Sequence, residues 1–394
     1  MHRRSALAAL TLGLHSAAGL GQRRAPEPAA PPDELLALAG QCMLVGWRTR
    51  GMHPWVARRV AEGACGAVIL TRDNAPTPAA LLALTAELNA LVPAGAPPLI
   101  ISADQEGGAV SHLSPPLARF PSLTTLGAID DVGLTARVAA ALGRDLLSVG
   151  VTMNLAPVLD VCTDPNNGVV PGRVFGGDPE KVARHGQAFV RALQAAGVLA
   201  CAKHFPGHGG TRDDSHHVLP RVASTVESLR RVELVPFLSV AETVAAVMVA
   251  HVVYEGVDRD FPATLSAPCS TELLREVAGV RGVAVTDDLE MTPIRVTWGI
   301  ANAAVRAMAA GNDLITVSHS PTQAELARQA MARRASVDDA FRARLTQAAE
   351  RVRALRARIV PPAVAAAAEP LAALLAEVRA RSPRRAATYR DPTR

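Results

Sequence analysis

Cysteine is scarce: five residues, at 42, 65, 162, 201 and 269, are spread over 394 positions. They are too few and too far apart for a disulfide scaffold, and no Cys-x-x-Cys pair is present to build a thiolate zinc site. Lysine is nearly missing. Lys181 and Lys203 stand alone among 41 basic residues, so a lysine inside a motif draws attention. Beyond the first thirty residues no stretch reaches about 18 uninterrupted apolar positions, which excludes a membrane-spanning helix. Glycine and proline follow no period, which excludes a fibrous chain, and an apolar content of 49% excludes a disordered one.

The net charge of +5 belongs to the ends of the chain. Residues 378–394 hold six arginines against Asp391, and residues 1–33 hold Arg3, Arg4, Arg23 and Arg24 against Glu27 and Asp33. The body between them is slightly acidic, so the basicity describes solvated tails and no nucleic-acid partner is expected. Met1-His2-Arg3-Arg4, an apolar run from Ala6 to Leu20 and a Pro/Ala linker through Pro32 resemble an export signal. His15 interrupts that run and no cysteine is near to take a lipid. Export and a cytoplasmic extension both stay open.

From residue 34 a rhythm sets in. Apolar runs fall at 42–47, 66–71, 98–104, 151–160, 199–205, 245–254, 283–288 and 313–318. Each is apolar on consecutive residues, as strands covered on both faces are. Helical stretches separate them: 181–197 carries Val182, Phe189, Val190 and Leu193 on one stripe and ends at Gly197, and 136–148 and 224–234 read similarly. Ser336 with Asp339 predicts a capping box opening a helix whose stripe is Phe341, Leu345, Ala348, Val352 and Leu355. Pro361-Pro362 ends it, and 371–378 predicts a last helix before a disordered tail. Eight strands alternating with helices predict a (β/α)8 barrel of the TIM type. A doubly wound sheet would want a glycine-rich phosphate loop after its first strand, and none is there.

Five of the runs end in chemistry: Asp104, Asp160, Lys203-His204, His251 and Asp287-Asp288. In such a barrel the carboxyl ends of all strands meet at one rim, so these residues are expected to share a pocket. The densest segment is 203–217, Lys-His-Phe-Pro-Gly-His-Gly-Gly-Thr-Arg-Asp-Asp-Ser-His-His, with four of the eleven histidines. Asp214 and His216 are two apart, so an extended chain projects both to one side. A carboxylate on one imidazole nitrogen fixes the tautomer and raises the pKa, leaving the other nitrogen ready to move a proton. Neither HxH nor HExxH spacing occurs, so no metal site is expected from His204, His208, His216 and His217.

Residues 203–220 resemble the signature of the single-domain β-N-acetylhexosaminidases of glycoside hydrolase family 3. Four more stretches are similar, in family order across roughly 36–320: Asp104-Gln105-Glu106-Gly107-Gly108, Asn154-Leu155-Ala156-Pro157-Val158-Leu159-Asp160, Ala250-His251-Val252 with Pro262-Ala263-Thr264-Leu265-Ser266, and Thr286-Asp287-Asp288-Leu289-Glu290-Met291. The resemblance implies a retaining enzyme that releases β-linked N-acetylglucosamine from glycans or peptidoglycan fragments without a cofactor. It implies Asp287 as nucleophile, Asp214 and His216 as an acid/base dyad replacing the usual second carboxyl, and Asp288 as structural. Asp104, Arg173, Lys203 and His204 match positions that hold sugar hydroxyls.

The family pattern usually has arginines where this chain has Ala109 and His112, and imidazole is shorter with fewer donors. His112 is retained as a substrate contact with a changed reach. On this reading 1–33 is a signal-like or disordered segment, 34–360 the catalytic barrel, and 361–394 a helix with a basic tail; a monomer is favoured. A phosphorylase using phosphate in place of water and a non-catalytic glycan-binding barrel are the alternatives. A β-glucosidase of the same family would want further domains, and about 75 residues follow Ser318.

Overall fold

The computed structural model describes residues 30–359, apart from 116 and 165, and residues 369–383. The signal-like stretch through residue 29, Pro361-Pro362 and the tail from 384 lie outside the described residues.

Each apolar run of the sequence contains a barrel strand: β1 Met43–Val45, β2 Ala67–Ile69, β3 Ile100–Ala103, β4 Met153–Asn154, β5 Leu199–Phe205, β6 Ala246–Val249, β7 Val283–Thr286 and β8 Ile315–Val317. All neighbours pair in parallel and in sequential order, with β1 also pairing β8. A bridge between Val285 and Leu314 links the β7 and β8 segments and closes the ring. The strands are apolar throughout because both faces are buried. Leu44, Ile69, Ile100, Met153, Cys201, Met248 and Val285 fill the interior. Their neighbours Val45, Val68, Ile101, Ala202, Val247, Ala284 and Val317 pack outward against helices. Val352, Leu355 and Ile359 join the interior cluster.

The helices follow the sequence with instructive corrections. The stretch predicted at 181–197 is Pro179–Ala195, begun earlier because Asp178 accepts from Glu180 N–H and Pro179 suits the first turn. Its predicted stripe is fully buried. The predicted 224–234 helix breaks into Val226–Arg231 and Leu234–Val240, with Thr225 and Ser228 forming the capping box. Ser336 caps nothing: it sits inside the helix Pro321–Val337, its hydroxyl donating to Arg333 O at 2.8 Å. Asp338 is the true cap of Asp339–Arg356, accepting from Phe341 N–H at 3.0 Å. The run at 245–254 is also divided. After β6 the chain leaves the barrel, and Val253–Gly256 pairs in parallel with Arg221–Thr225 beyond the rim. The last described helix is Leu371–Arg381. Among the described residues no helix is long and apolar enough to cross a membrane.

Candidate active site

The residue after the last apolar position of a barrel strand is the first to turn into the mouth, and the mouth here is a cavity of about 290 Å³. Asp104 follows β3, Lys203 and His204 lie near the end of β5, and Asp287 follows β7. These line the cavity together with His112, Arg173 and His216. Asp214 stands behind His216, its Oδ1 2.6 Å from His216 Nδ1. The structure therefore brings these side chains together from segments as far apart as 104 and 287, whereas Asp160 and His251, also expected at the pocket, are fully buried and do not line it.

One wall is a buried ion network. Lys203 Nζ lies 2.5 Å from Asp104 Oδ1 and 2.8 Å from Glu106 Oε1. Arg173 grips Glu106 with two bonds, Nε to Oε2 at 2.9 Å and Nη2 to Oε1 at 2.7 Å. Burial opposes ionisation of Glu106, but Arg173 and Lys203 outweigh it and hold the carboxyl at about 2. Burial likewise opposes the charge on Lys203, and Asp104 with Glu106 reverses that and keeps the ammonium protonated. Glu106 reaches in from a hairpin, Gln105–Gly107 with Val110–Ser111. Gly107 turns that hairpin at φ +96°, where an added Cβ would stand 2.2 Å from Pro121 O.

A second network fixes the histidine loop. Buried Asp160 accepts from His204 N–H at 3.1 Å and His208 N–H at 2.7 Å, and its Oδ2 lies 2.7 Å from His204 Nδ1. That partner keeps the proton on His204 Nδ1 and leaves Nε2 toward Arg173, 3.5 Å away. His208 has its Nδ1 2.8 Å from Thr211 Oγ1 and its Nε2 2.9 Å from Ser215 Oγ. Burial, aided by His204, drives His208 down to about 4, so it is a neutral staple that holds Ser215 beside His216. His216 itself is drawn the other way. Burial disfavours its charge, yet the bond to Asp214 and the field of Asp287 raise its pKa above the ordinary value. His217, its sequence neighbour, is exposed and does not line the cavity.

Asp287 receives Asp288 N–H on its Oδ1 at 2.8 Å, while its own N–H donates to Val249 O at 3.1 Å. Burial works against its charge, and the fields of His251, His204 and His216 overcome that and set it at about 2. A carboxylate ionised at neutral pH thus shares the cavity with an imidazole that binds its proton more tightly than usual. One can act as nucleophile and the other as acid.

The Glycosyl hydrolase family 3 N terminal domain matches residues 41–355. The chain belongs to glycosyl hydrolase family 3. It is 35% identical over 283 residues to beta-hexosaminidase A of Pseudoalteromonas piscicida, covering 67% of this chain and 47% of that protein, and so spans about half its length. A beta-hexosaminidase of Pseudomonas aeruginosa is 36% identical over 269 residues, 68% of this chain and 79% of that one. Among solved structures, a glycoside hydrolase family 3 beta-N-acetylglucosaminidase from Paenibacillus superposes with a TM-score of 0.82 at 37% identity. That match covers 88% of this chain and 68% of the other.

Several members of the family 3 site carry no role in the sequence reading. Glu106 sits inside a recognised motif, yet its part in holding Lys203 and Arg173 needs the hairpin to be folded. The signal available was an acidic residue in a glycine turn at a strand end, in a chain with one other lysine besides Lys203. The lining also includes Arg48, Arg72, Asp73 and Glu290, and Ser318 with His319 after β8. His112 is held by its backbone, donating N–H to Asp104 O at 3.0 Å and accepting from Arg72 N–H at 2.9 Å. Among the described residues, the donors close enough to converge on a metal ion are those of Asp288, Glu290 and His319. All three are occupied by hydrogen bonds with one another and with Ser318 and Ser320. The four loop histidines are not such a group.

Proposed function

We propose that this chain is a retaining β-N-acetylhexosaminidase that removes terminal β-linked N-acetylglucosamine from peptidoglycan fragments or related glycans. The observation that carries the reading is the pairing, across one cavity, of the ionised Asp287 with an imidazole whose Nδ1 is held by Asp214. In the first step Asp287 attacks the anomeric carbon while His216 gives its proton to the departing oxygen, so the glycosidic bond breaks as the glycosyl–Asp287 ester forms. In the second, the now neutral His216 takes a proton from water, whose oxygen attacks the same carbon and releases Asp287. Two inversions give net retention. Asp214 balances the imidazolium in each proton-loaded state and fixes its ring.

Asp104, Lys203, His204, Arg173 and His112 are the proposed contacts to sugar hydroxyls. Glu106 and Asp160 hold three of them in place, so their donors are aimed before the substrate arrives. The small cavity suits a single terminal sugar, which supports action at chain ends. An imidazole repels an anionic acceptor less than a carboxylate would, so phosphate in place of water is the second reading.

The test is hydrolysis of 4-nitrophenyl N-acetyl-β-glucosaminide against the corresponding glucoside, with and without phosphate. Turnover of the N-acetyl substrate alone, unaffected by phosphate and lost in Asp287→Asn, is expected. Stimulation by phosphate with a sugar phosphate as product would favour the phosphorylase. Full activity of Asp287→Asn would remove Asp287 from the chemistry.

A further inference from the structure

Asp288 is joined to the end of β8 by an unusually dense set of bonds. Its Oδ2 accepts from Ser318 Oγ at 2.5 Å and lies 3.1 Å from His319 Nδ1; its Oδ1 accepts from Glu290 N–H at 3.0 Å and Ser318 N–H at 3.3 Å. Glu290 closes the circuit. Its Oε2 lies 3.5 Å from His319 Nδ1 and accepts the backbone N–H groups of His319 at 2.6 Å and Ser320 at 3.2 Å. The same Asp288 gives its backbone N–H to Asp287 Oδ1 and its carbonyl to His251 Nε2, 3.0 Å away. Three carboxylates therefore stand within four residues of chain at the cavity edge, and the ring of His319 is the nearest cation-forming group to two of them.

We propose that His319, acting through Asp288, is a positioning residue for the nucleophile. It ties the β7 loop to the end of β8 and offsets the charges of Asp288 and Glu290, so the peptide that donates to Asp287 Oδ1 is held still. This rests on the reading of Asp287 as nucleophile. Removing the ring leaves two carboxylates facing each other without their shared donor, and their repulsion pulls the Asp287–Asp288 peptide out of place. Small misplacements at a reacting centre cost rate far more than they cost binding. The groups that face His319 are Asp288 and Glu290 from the β7 loop and Arg48 from the end of β1. Burial disfavours its charge and Arg48 opposes it, but the two carboxylates raise it to about 9.

The experiment compares wild type, His319→Ala and His319→Asn, because an Asn amide can place a donor where Nδ1 stood. For His319→Ala, kcat should fall about tenfold or more with KM within about twofold, and His319→Asn, which restores the donor but not the charge, should recover only part of the loss. The rate of covalent trapping by a fluorinated N-acetylglucosaminide should fall in step with kcat, since that step is the attack of Asp287. Separately, ¹⁵N-imidazole NMR of wild type should show the His319 ring still protonated above pH 8, and that proton should be lost at lower pH in Asp288→Asn. Unchanged kcat in His319→Ala, an unchanged trapping rate, or a His319 titration indifferent to Asp288→Asn would each overturn the proposal. A wild type without glycosidase activity would sink the functional reading alone. The NMR titration needs no turnover and no alanine variant, and would still decide whether the tie exists.

Discussion

Glu106 offers the sharpest test of how the site is held, through Glu106→Gln. The glutamine keeps the shape of the side chain and removes the charge that faces Arg173 and Lys203. A carboxyl at about 2 in the fold and 4.5 outside it is stabilised by about 3 kcal/mol when ionised. That agrees with the roughly 3–5 kcal/mol lost when one partner of a buried ion pair is removed. Lys203 keeps Asp104, which places the expected loss at the low end. The folded value lies below the unfolded one, so this stability is complete above pH 4.5 and disappears as pH falls toward 2. Asp160 and Asp287 are shifted in the same direction, so both proteins weaken in acid and the difference between them isolates Glu106. Urea unfolding followed by circular dichroism at pH 7, 5, 4 and 3 is the assay. At pH 7 the variant's midpoint should fall by about 1 M for a slope near 3 kcal/mol/M, and the gap should narrow below pH 4.5. Equal midpoints at pH 7, or a gap just as wide at pH 3, would refute the electrostatic account of this wall.

Asp214→Asn removes a group that raises the pKa of His216. The acid form of the imidazole is lost as pH rises through that value, so the alkaline limb of kcat/KM should move to lower pH; a limb that stays put would deny the dyad. His216→Ala should slow poor leaving groups by about a hundredfold or more and activated aryl leaving groups far less in bond cleavage, because the latter need no proton. Equal losses at that step, read by the rate of glycosyl-enzyme formation, would contradict the acid role. Gly209→Ala would set a Cβ 1.7 Å from Val161 O, forcing the loop that carries Asp214 and His216 off β4's extension. A loss of about 1–3 kcal/mol in stability is expected, with activity on poor leaving groups falling most; a variant as stable as wild type would show that the loop tolerates displacement.

The barrel was readable because its physics is local and repeated. A strand buried on both faces must be apolar at consecutive positions, and that pattern recurs eight times, so strand number, order and the shared rim follow together. Errors appeared where a neighbour outside the local window decides. The run at 245–254 is apolar throughout, yet its second half leaves the barrel because Arg221–Thr225 supplies a partner for Val253–Gly256. Ser336 and Asp338 are both good caps. Asp338 is the one that caps Asp339–Arg356, because the preceding helix runs on through Val337.

The site divides along the same line. Asp104, Lys203, His204 and Asp287 stand at or just beyond the ends of predicted strands, so topology alone brings them together. Asp214 and His216 announce themselves by spacing, but a turn pairs them in place of the expected extended chain: Asp214 Oδ1 accepts from His216 N–H at 2.9 Å and lies 2.6 Å from its Nδ1, and Asp214 O accepts from His217 N–H and Val218 N–H. Glu106, His208 and His319 have no such local mark. Glu106 acts on Arg173, 67 residues away, and His319 on Asp288, from the preceding strand β7, while the His208 ring is held between Thr211 and Ser215 of its own loop and its backbone N–H donates to Asp160, 48 away. What a sequence shows of an active site is thus mainly the groups aimed at substrate from strand ends. The groups that aim them are fixed by closure of the ring, and their charges are decided there. His208 becomes neutral and His216 tends to keep its proton, although both lie in one loop nine residues long. The difference is that one ring is enclosed beside another imidazole and the other is set against two carboxylates.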